Sequence, residues 1–411
     1  MWTLALVADS AFFLRGYGDA PRFVVLLLGV MALFRPRPAL FAATWASSVV
    51  AWIALAPLTT NHSFSLALGS VLALVCGDYR RGERGTRAWV FPLVFAVYLA
   101  SVVQKFNSTY LFDVDASCAV EVWEQFVSVP RSVAWVLPPG SLLIELGLGV
   151  GLWWARSRRA VVWVGLIFHF FLGIQPVSPI VMFTLTMVAL YTAGWDDRDG
   201  RMVPFVRAAA LVSIAGWLVR LMGSLALGTA VAWLAWLVVL PGLVLLFRQP
   251  LRTDEAPPRP TWVMAAALLV PLLNLVPAHT GDRQFNSFDM YSNLEVTPGE
   301  SNHLLMPSLD RPRPFNRRVR VLSAEPDRFP FSRAAGDRVA ALELARVIRA
   351  GQLEHVRWTE DGVISQWSAG EPLPFPEIST WDLRFRRLRP LAPGSVCVDC
   401  PSCRLDVLLS D

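Results

Sequence analysis

Four ionisable side chains of the types that carry out acid–base chemistry lie within or at the ends of apolar segments. They are Lys105, His62, Glu145 and His169. Lys105 is the single lysine among 37 basic residues, and the other 36 are arginine. Arginine stays protonated at physiological pH, whereas a lysine ammonium moved out of water can lose its proton and act as a base. Lys105 is therefore the one basic side chain suited to amine chemistry.

Two structural explanations compete with this one. A GC-rich genome replaces most lysines by arginine, and a lysine at a helix end often extends to the lipid interface. An ionisable residue at membrane depth is nonetheless a functional hypothesis by default, because its burial is costly.

The composition indicates a membrane protein. The chain has 411 residues, of which 54% are hydrophobic and 17% charged, and its mean hydropathy is +0.46. Apolar runs predict helices at 22–34, 39–57, 63–77, 88–105, 141–155, 160–174, 179–194, 207–222, 227–247 and 261–277. Residues 2–14 predict a further helix or a re-entrant segment. The predicted fold is an all-α polytopic membrane bundle of about ten transmembrane helices.

The connections between these helices alternate in charge. Arginine-bearing connections lie at 35–37, 78–87, 156–159, 196–201 and 248–259. The intervening connections, 59–62, 106–139 and the turns near 175 and 224, are neutral or acidic. By the positive-inside rule, the first set of connections is cytoplasmic, and the C-terminus lies on the extracytoplasmic side of the inner (cell) membrane. The net charge of +5 then reflects topology, and nucleic acid is not an expected partner.

The chain divides into three predicted parts: a membrane helical domain at 1–280, an extracytoplasmic linker at 281–316, and a small α+β domain at 317–411. In the last part, 317–323 predicts a strand and 337–351 an amphipathic helix. The Asp-Gly pair at 361–362 predicts the turn of a β-hairpin.

A cysteine cluster, Cys397, Cys400 and Cys403, lies near the C-terminus. It supplies three ligands, one short of a closed structural zinc site, so no metal is expected there. An external location favours a local disulfide over a metal site, and a metal site remains the alternative.

The predicted topology brings the four ionisable residues to a common depth. Counted along their helices at 1.5 Å per residue, all four lie within about 10 Å of the external end of the hydrocarbon region. Charged groups in lipid normally face one another or a cavity, which predicts a shared site. Alternatively, His62 is a loop histidine, and His169 with Glu145 forms a structural interhelical pair.

Several segments resemble the vitamin K-dependent γ-carboxylase family, whose membrane portion is the horizontally transferred transmembrane (HTTM) domain. Asn61-His62-Ser63 is similar to the start of the family's NH-containing helix, and VYLASVVQKFNSTYLF at 97–112 to its lysine segment. SLLIELGLG at 141–149 resembles the acidic helix, and IFHFFLGIQPVSPIVMFTLTMVAL at 167–190 the FH helix with its successor. RQFNSFDMYSNLEV at 283–296 resembles the segment after the last helix.

The resemblance implies an integral membrane enzyme with Lys105, His62, His169 and Glu145 as catalytic residues. In such an enzyme the lysine deprotonates a reduced, vitamin K-like quinone, so that reaction with O2 gives a base able to remove a proton from a glutamate residue before CO2 is captured. The activity would be that of a carboxylase and quinone epoxidase, a carbon–carbon lyase or an oxidoreductase. The implied partners are the lipid bilayer, a lipophilic quinone and an extracytoplasmic protein or peptide.

The alternative is a noncatalytic membrane scaffold or assembly protein of the same fold, whose external α+β domain contacts partners. A transporter is disfavoured, because neither inverted halves nor matched broken helices are evident. Nucleotide-binding motifs are also absent from the sequence.

Overall fold

The structure, a computed structural model, describes most of the chain. The described residues are 1–13, 20–55, 61–78, 87–115, 117–124, 127–173, 178–192, 201–221, 225–247, 261–280, 294, 296–297, 300–309, 318–325, 338–349, 351, 353–360, 362–372 and 374–378. The tail cysteines and residues 281–293, to which parts of the predictions refer, lie outside this set.

Most of the described residues are helical. The helices are α1 (Trp2–Phe13), α2 (Ala20–Phe34), α3 (Pro38–Leu55), α4 (Asn61–Val75), α5 (Arg87–Lys105), α6 (Ser108–Phe112), α7 (Cys118–Glu124), α8 (Arg131–Ala134), α9 (Leu137–Gly151), α10 (Ala155–Gly173), α11 (Ser178–Thr192), α12 (Val203–Leu221), α13 (Leu225–Phe247), α14 (Thr261–Leu273), α15 (Val276–His279) and α16 (Ala341–Arg349).

Strands are confined to the C-terminal part of the described chain. They are β1 (Val296–Thr297), β2 (Glu300–Ser301), β3 (Arg318–Glu325), β4 (Arg338–Ala340), β5 (His355–Glu360) and β6 (Val363–Ser368). β1 pairs with β2, and the other four form an antiparallel sheet in the order β4-β3-β5-β6. The side chains of α16 pack with those of the sheet in one apolar cluster that includes Leu342, Ile348, Val319 and Trp358. This region is the predicted small α+β unit.

The chain forms two compact units. The first comprises Met1–Leu55, Thr59–Leu99 and Glu145–Leu272, and the second Ala56–Leu58, Ala100–Ile144 and Leu273–Asp411. Helices α5 and α9 contribute residues to both.

Helix α1 lies at the centre of the first unit. It packs against α2, α3, α4, α11 and α12, and Leu4, Leu6 and Val7 are buried almost completely. A helix that is apolar on all sides must be buried or lie in lipid, and α1 obtains this burial from its neighbours. Within the ambiguous segment 2–14, residues Trp2–Phe13 are helical.

The helices occupy all ten segments in which apolar runs predict them, with shifts of a few residues at the ends. Two regions differ from the prediction. The acidic connection 106–139 contains α6, α7 and α8, and α9 begins within it. The predicted helix at 337–351 begins as β4, because Arg338–Ala340 pairs with Arg318–Arg320 of β3.

Three segments of the described chain are long and apolar enough to cross a bilayer, namely Pro38–Leu55, Arg131–Gly151 and Trp262–His279. The other apolar helices among the described residues are shorter, such as Ala20–Phe34 and Trp89–Lys105. A bilayer core of about 30 Å requires about 20 helical residues without help from tilt or thinning.

Candidate functional site

Lys105 is the last residue of α5 and is buried, with 7% of its surface exposed. Its Nζ atom lies 5.8 Å from the centroid of the Tyr110 ring. The Tyr110 hydroxyl is 2.6 Å from the Ser141 hydroxyl, which fixes the ring against the beginning of α9. The amine therefore lies over an aromatic ring whose hydroxyl is hydrogen-bonded to α9.

Asn107 determines how the chain leaves α5. Its side-chain oxygen accepts a hydrogen bond from the Tyr110 backbone N–H at 2.8 Å, which caps α6. Its side-chain nitrogen donates to the Gln104 carbonyl at 2.9 Å. One asparagine thus ends the lysine helix and begins the next.

The segment 302–304 pairs with this turn. The Ser108 N–H donates to the Asn302 carbonyl, and the Leu304 N–H donates to the Phe106 carbonyl. Asn107 and His303 form the antiparallel bridge between them. A short strand-like contact therefore covers the turn that follows Lys105.

His303 is held as one neutral tautomer. Its Nδ1 accepts hydrogen bonds from the N–H groups of Leu305 (3.1 Å) and Met306 (2.9 Å). Its Nε2 must then carry the proton, which it donates to the Val103 carbonyl at 2.7 Å. Burial lowers the pKa of His303 from its usual value, and the bond to Val103 opposes this only in part. The imidazole therefore has a structural role, because it links the segment around His303 to the last turn of α5.

His279 lies beside His303, with the two ring centroids 5.2 Å apart and the planes at 81°. Its Nε2 is 3.1 Å from the Gln104 side-chain oxygen, so Nε2 is the donor of that bond. The Nδ1 atom is then a bare acceptor. It is buried and makes no hydrogen bond within the described part of the chain. A buried acceptor of this kind suits a ligand hydroxyl or a water molecule.

A second polar cluster lies in the first unit. The Tyr98 hydroxyl is 2.7 Å from His169 Nε2 and also bonds to the Tyr191 hydroxyl. Thr184 donates to the His169 carbonyl at 2.9 Å. The Glu145 carboxyl is close enough to interact electrostatically with both tyrosine hydroxyls. Two hydroxyls and an imidazole in sequence can relay a proton in either direction.

The structure places the four predicted site residues as follows. Glu145 (5% exposed) and His169 (0%) belong to the first unit and share the tyrosine cluster. Lys105 belongs to the second unit with the histidine pair. His62 lies in the first turn of α4, and its side chain is outside the described residues. That all four form one site stays a prediction.

The sequence interpretation missed the polar partners of the predicted site residues in each unit. In the second unit they are Gln104, Asn107, His279 and His303, and in the first Tyr98 and Tyr191. The chain has only five histidines, so His279 at the end of an apolar helix was a usable signal. His303 lies in an irregular segment and had no such signal. Among the described residues, no group of three or more His, Cys, Asp or Glu could hold a metal ion.

Compared with known proteins, the chain matches no protein-family model, no curated protein and no solved structure.

Proposed function

We propose that this protein is a multi-pass inner-membrane enzyme in which Lys105 acts as a base on a reduced quinone at the outer face of the membrane. The reaction class, oxygenation or carboxylation, follows from the resemblance to the vitamin K-dependent γ-carboxylases. Its expected partners are the bilayer, a lipophilic quinone and an extracytoplasmic protein or peptide that supplies the acceptor group.

The burial of the only lysine carries this proposal. Lys105 is 7% exposed and ends its helix next to Gln104, which bonds to a neutral-tautomer histidine. Burial in apolar surroundings disfavours a charged amine and favours the neutral form that can accept a proton. Lipid-interface lysines instead extend their ammonium group into water.

The residues around Lys105 fit a reduced quinone. Such a ligand has an aromatic ring with hydroxyl donors, and the bare Nδ1 of His279 is a buried acceptor for one hydroxyl. The apolar side chains that pack with Tyr110 in one cluster, including Val102, Phe106 and Leu137, suit the ring and its isoprenoid tail. When bound, the quinol supplies the reducing electrons for O2, whereas Lys105 takes up the hydroxyl proton and His279 orients the hydroxyl.

The test compares Lys105→Arg with wild type in reconstituted membranes supplied with a reduced menaquinone. Arginine retains the positive charge and a long side chain but removes the base. We expect quinol-dependent O2 consumption, and CO2 fixation if an acceptor is present, to fall at least about 100-fold. Arg131→Gln, which breaks an exposed ion pair with Asp115 in the same unit, is the matched control and should retain activity. Equal rates in wild type and Lys105→Arg would contradict the proposal.

A noncatalytic scaffold is the second candidate, and one observation favours it. Within the described part of the chain, β6 is an edge strand of the sheet, and it exposes Val363 (66%) and Ile364 (60%). Exposed apolar side chains on an open edge suit pairing with a strand from a partner. Val363→Lys together with Ile364→Lys should then abolish the cellular function, whereas Lys105→Arg should leave it intact. The enzyme hypothesis predicts the opposite for Lys105→Arg.

A further inference from the structure

The segment 304–309 of the second unit is attached to the end of a candidate membrane span. Its Leu309 N–H donates to the His279 carbonyl at 2.9 Å, and His279 is the last residue of a segment long and apolar enough to cross a bilayer. At the other end, the Leu304 N–H donates to the carbonyl of Phe106, which follows α5, at 3.0 Å. By the predicted topology α5 and this span both run outward, so the segment lies at the outer boundary of the hydrocarbon region.

The side chains of this segment are apolar and point outward. Leu304 (43%), Leu305 (76%) and Leu309 (56%) are all exposed. The sequence of the segment is LLMPSL, which contains no ionisable residue. Single exposed leucines are common on soluble surfaces, but three among six residues form a patch that is better covered than left in water.

The backbone of the segment is suited to an apolar environment. His303 Nδ1 accepts hydrogen bonds from the N–H groups of Leu305 at 3.1 Å and Met306 at 2.9 Å. Pro307 has no N–H, and the N–H groups of the first and last residues bond to carbonyls. Moving a backbone N–H from water towards lipid is costly unless the protein supplies the acceptor. Here one imidazole supplies two acceptor bonds in a segment that has no helical ones.

Lipid is the occupant that the neighbouring surface favours. The last two turns of the adjoining span expose Leu273 (65%) and Val276 (43%). A span with exposed apolar side chains is covered by acyl chains, and the segment 304–309 is hydrogen-bonded directly to its last residue. A protein partner would have to displace lipid from the same place in order to cover the leucines.

We propose that the leucines of 304–309 insert into the outer leaflet, at the boundary between lipid head groups and acyl chains, and that His303 permits this by accepting from the backbone of the segment. Because the segment bonds to Phe106, its insertion also fixes the depth of the turn that follows Lys105. The insertion requires neither the lysine base nor a quinol, so it is independent of the proposed chemistry.

Photo-cross-linking of the full-length protein in phospholipid nanodiscs tests the proposal. The photoreactive residue p-benzoylphenylalanine replaces Leu305, and mass spectrometry identifies what it bonds to after illumination. We expect adducts with lipid acyl chains. The matched control has the same probe at Val363, an apolar residue of similar exposure (66%) in the hairpin of the α+β domain, and it should form no lipid adduct.

The same illumination of whole cell membranes separates lipid from protein occupants. A second copy of the chain or another protein as the main adduct at Leu305 would overturn the proposal. The absence of lipid adducts in nanodiscs, or equal lipid adducts at Leu305 and Val363, would also overturn it.

The role of the imidazole has its own test. His303→Ala leaves two N–H groups without their acceptor and should reduce the lipid adduct at Leu305 at least about tenfold. His355→Ala, at an exposed histidine of the same unit, should leave the adduct unchanged. An undiminished adduct in His303→Ala would overturn the role of His303. Lys105→Arg should retain the full adduct, so that loss of the chemistry and loss of the insertion are distinguished.

Discussion

At the residue scale, the two histidines of the second unit differ in what they can do. His303 has both ring nitrogens engaged with backbone groups. His279 has one nitrogen engaged by Gln104 and one buried lone pair. The first is therefore a positioning residue, and the second is available to a ligand.

The bonding of His303 predicts how stability depends on pH. Its pKa is lowered in the folded protein by burial, whereas the unfolded chain has the usual value of about 6.5. As pH falls below about 6.5, the unfolded state gains a proton that the folded state does not accept, so stability decreases, by at most about 1.4 kcal/mol per pH unit for one group. Above pH 7 this residue does not contribute to the pH dependence of stability.

Melting temperatures of the protein between pH 5 and 8 provide the measurement. His303→Gln should flatten the acid side of the profile, at the cost of a lower melting temperature at pH 8. His355→Gln, at an exposed histidine of β5 in the same unit, is the matched control for the loss of a histidine. An identical acid slope in wild type and His303→Gln would show that other groups cause it.

At the element scale, helix α10 packs against α11 through a glycine. A Cβ atom at Gly165 would lie 2.5 Å from the ring and the hydroxyl of Tyr191. Tyr191 cannot move away freely, because it bonds to Tyr98, which in turn bonds to His169. The close approach of these helices therefore maintains the polar cluster.

We predict that Gly165→Ala destabilises the protein by about 1–3 kcal/mol, because it overpacks a well-filled contact. Gly147→Ala, on α9 with nothing within 4 Å of the added Cβ, should be neutral or stabilising by up to about 1 kcal/mol. Thermal unfolding in detergent compares the two alanine variants with wild type. Equal stability of the two variants would mean that α10 can shift without cost.

The short helix α7 begins at Cys118, which is buried and disulfide-bonded. Cys76 is not part of a disulfide, and the chain contains five cysteines. We therefore predict a disulfide between Cys118 and one of Cys397, Cys400 or Cys403. Such a bond requires an oxidising compartment, in agreement with the predicted external location of both segments.

Peptide mapping without reductant should yield a cross-linked pair that contains Cys118 and the C-terminal peptide. The pair should disappear after reduction, while Cys76 is alkylated in both samples. Full alkylation of Cys118 in the unreduced protein would exclude the bond.

Sequence patterns predicted the helices better than the sites. Apolar runs are local signals, so α2–α5 and α9–α14 occur where the hydropathy places them. Helical rise predicts depth but not lateral position, so the grouping of Lys105 with Glu145 and His169 stays a prediction. The partners Gln104 and His279 are far apart along the chain and meet only through tertiary structure. Likewise, β4 forms where a helix was predicted because β3 offers it a pairing edge.

At the scale of the whole molecule, the arginine distribution predicts that the C-terminus is outside the cytoplasm. A reporter that is active only in the cytoplasm should be silent when fused after Asp411. The same reporter fused after a truncation at Arg159, in a predicted cytoplasmic connection, should be active. Strong activity from the Asp411 fusion would invert the topology and place the predicted site at the inner face.

The central position of α1 has a consequence for biosynthesis. This helix leaves the ribosome before α11 and α12, yet it packs against both of them as well as against its sequence neighbours. At about 5–20 residues per second, α12 emerges roughly 10–40 s later. During that interval an apolar helix of 12 residues, too short to span a bilayer by itself, must be sheltered by the insertion machinery. Polar substitutions in α1 should therefore reduce the amount of protein that reaches the membrane before they affect any activity.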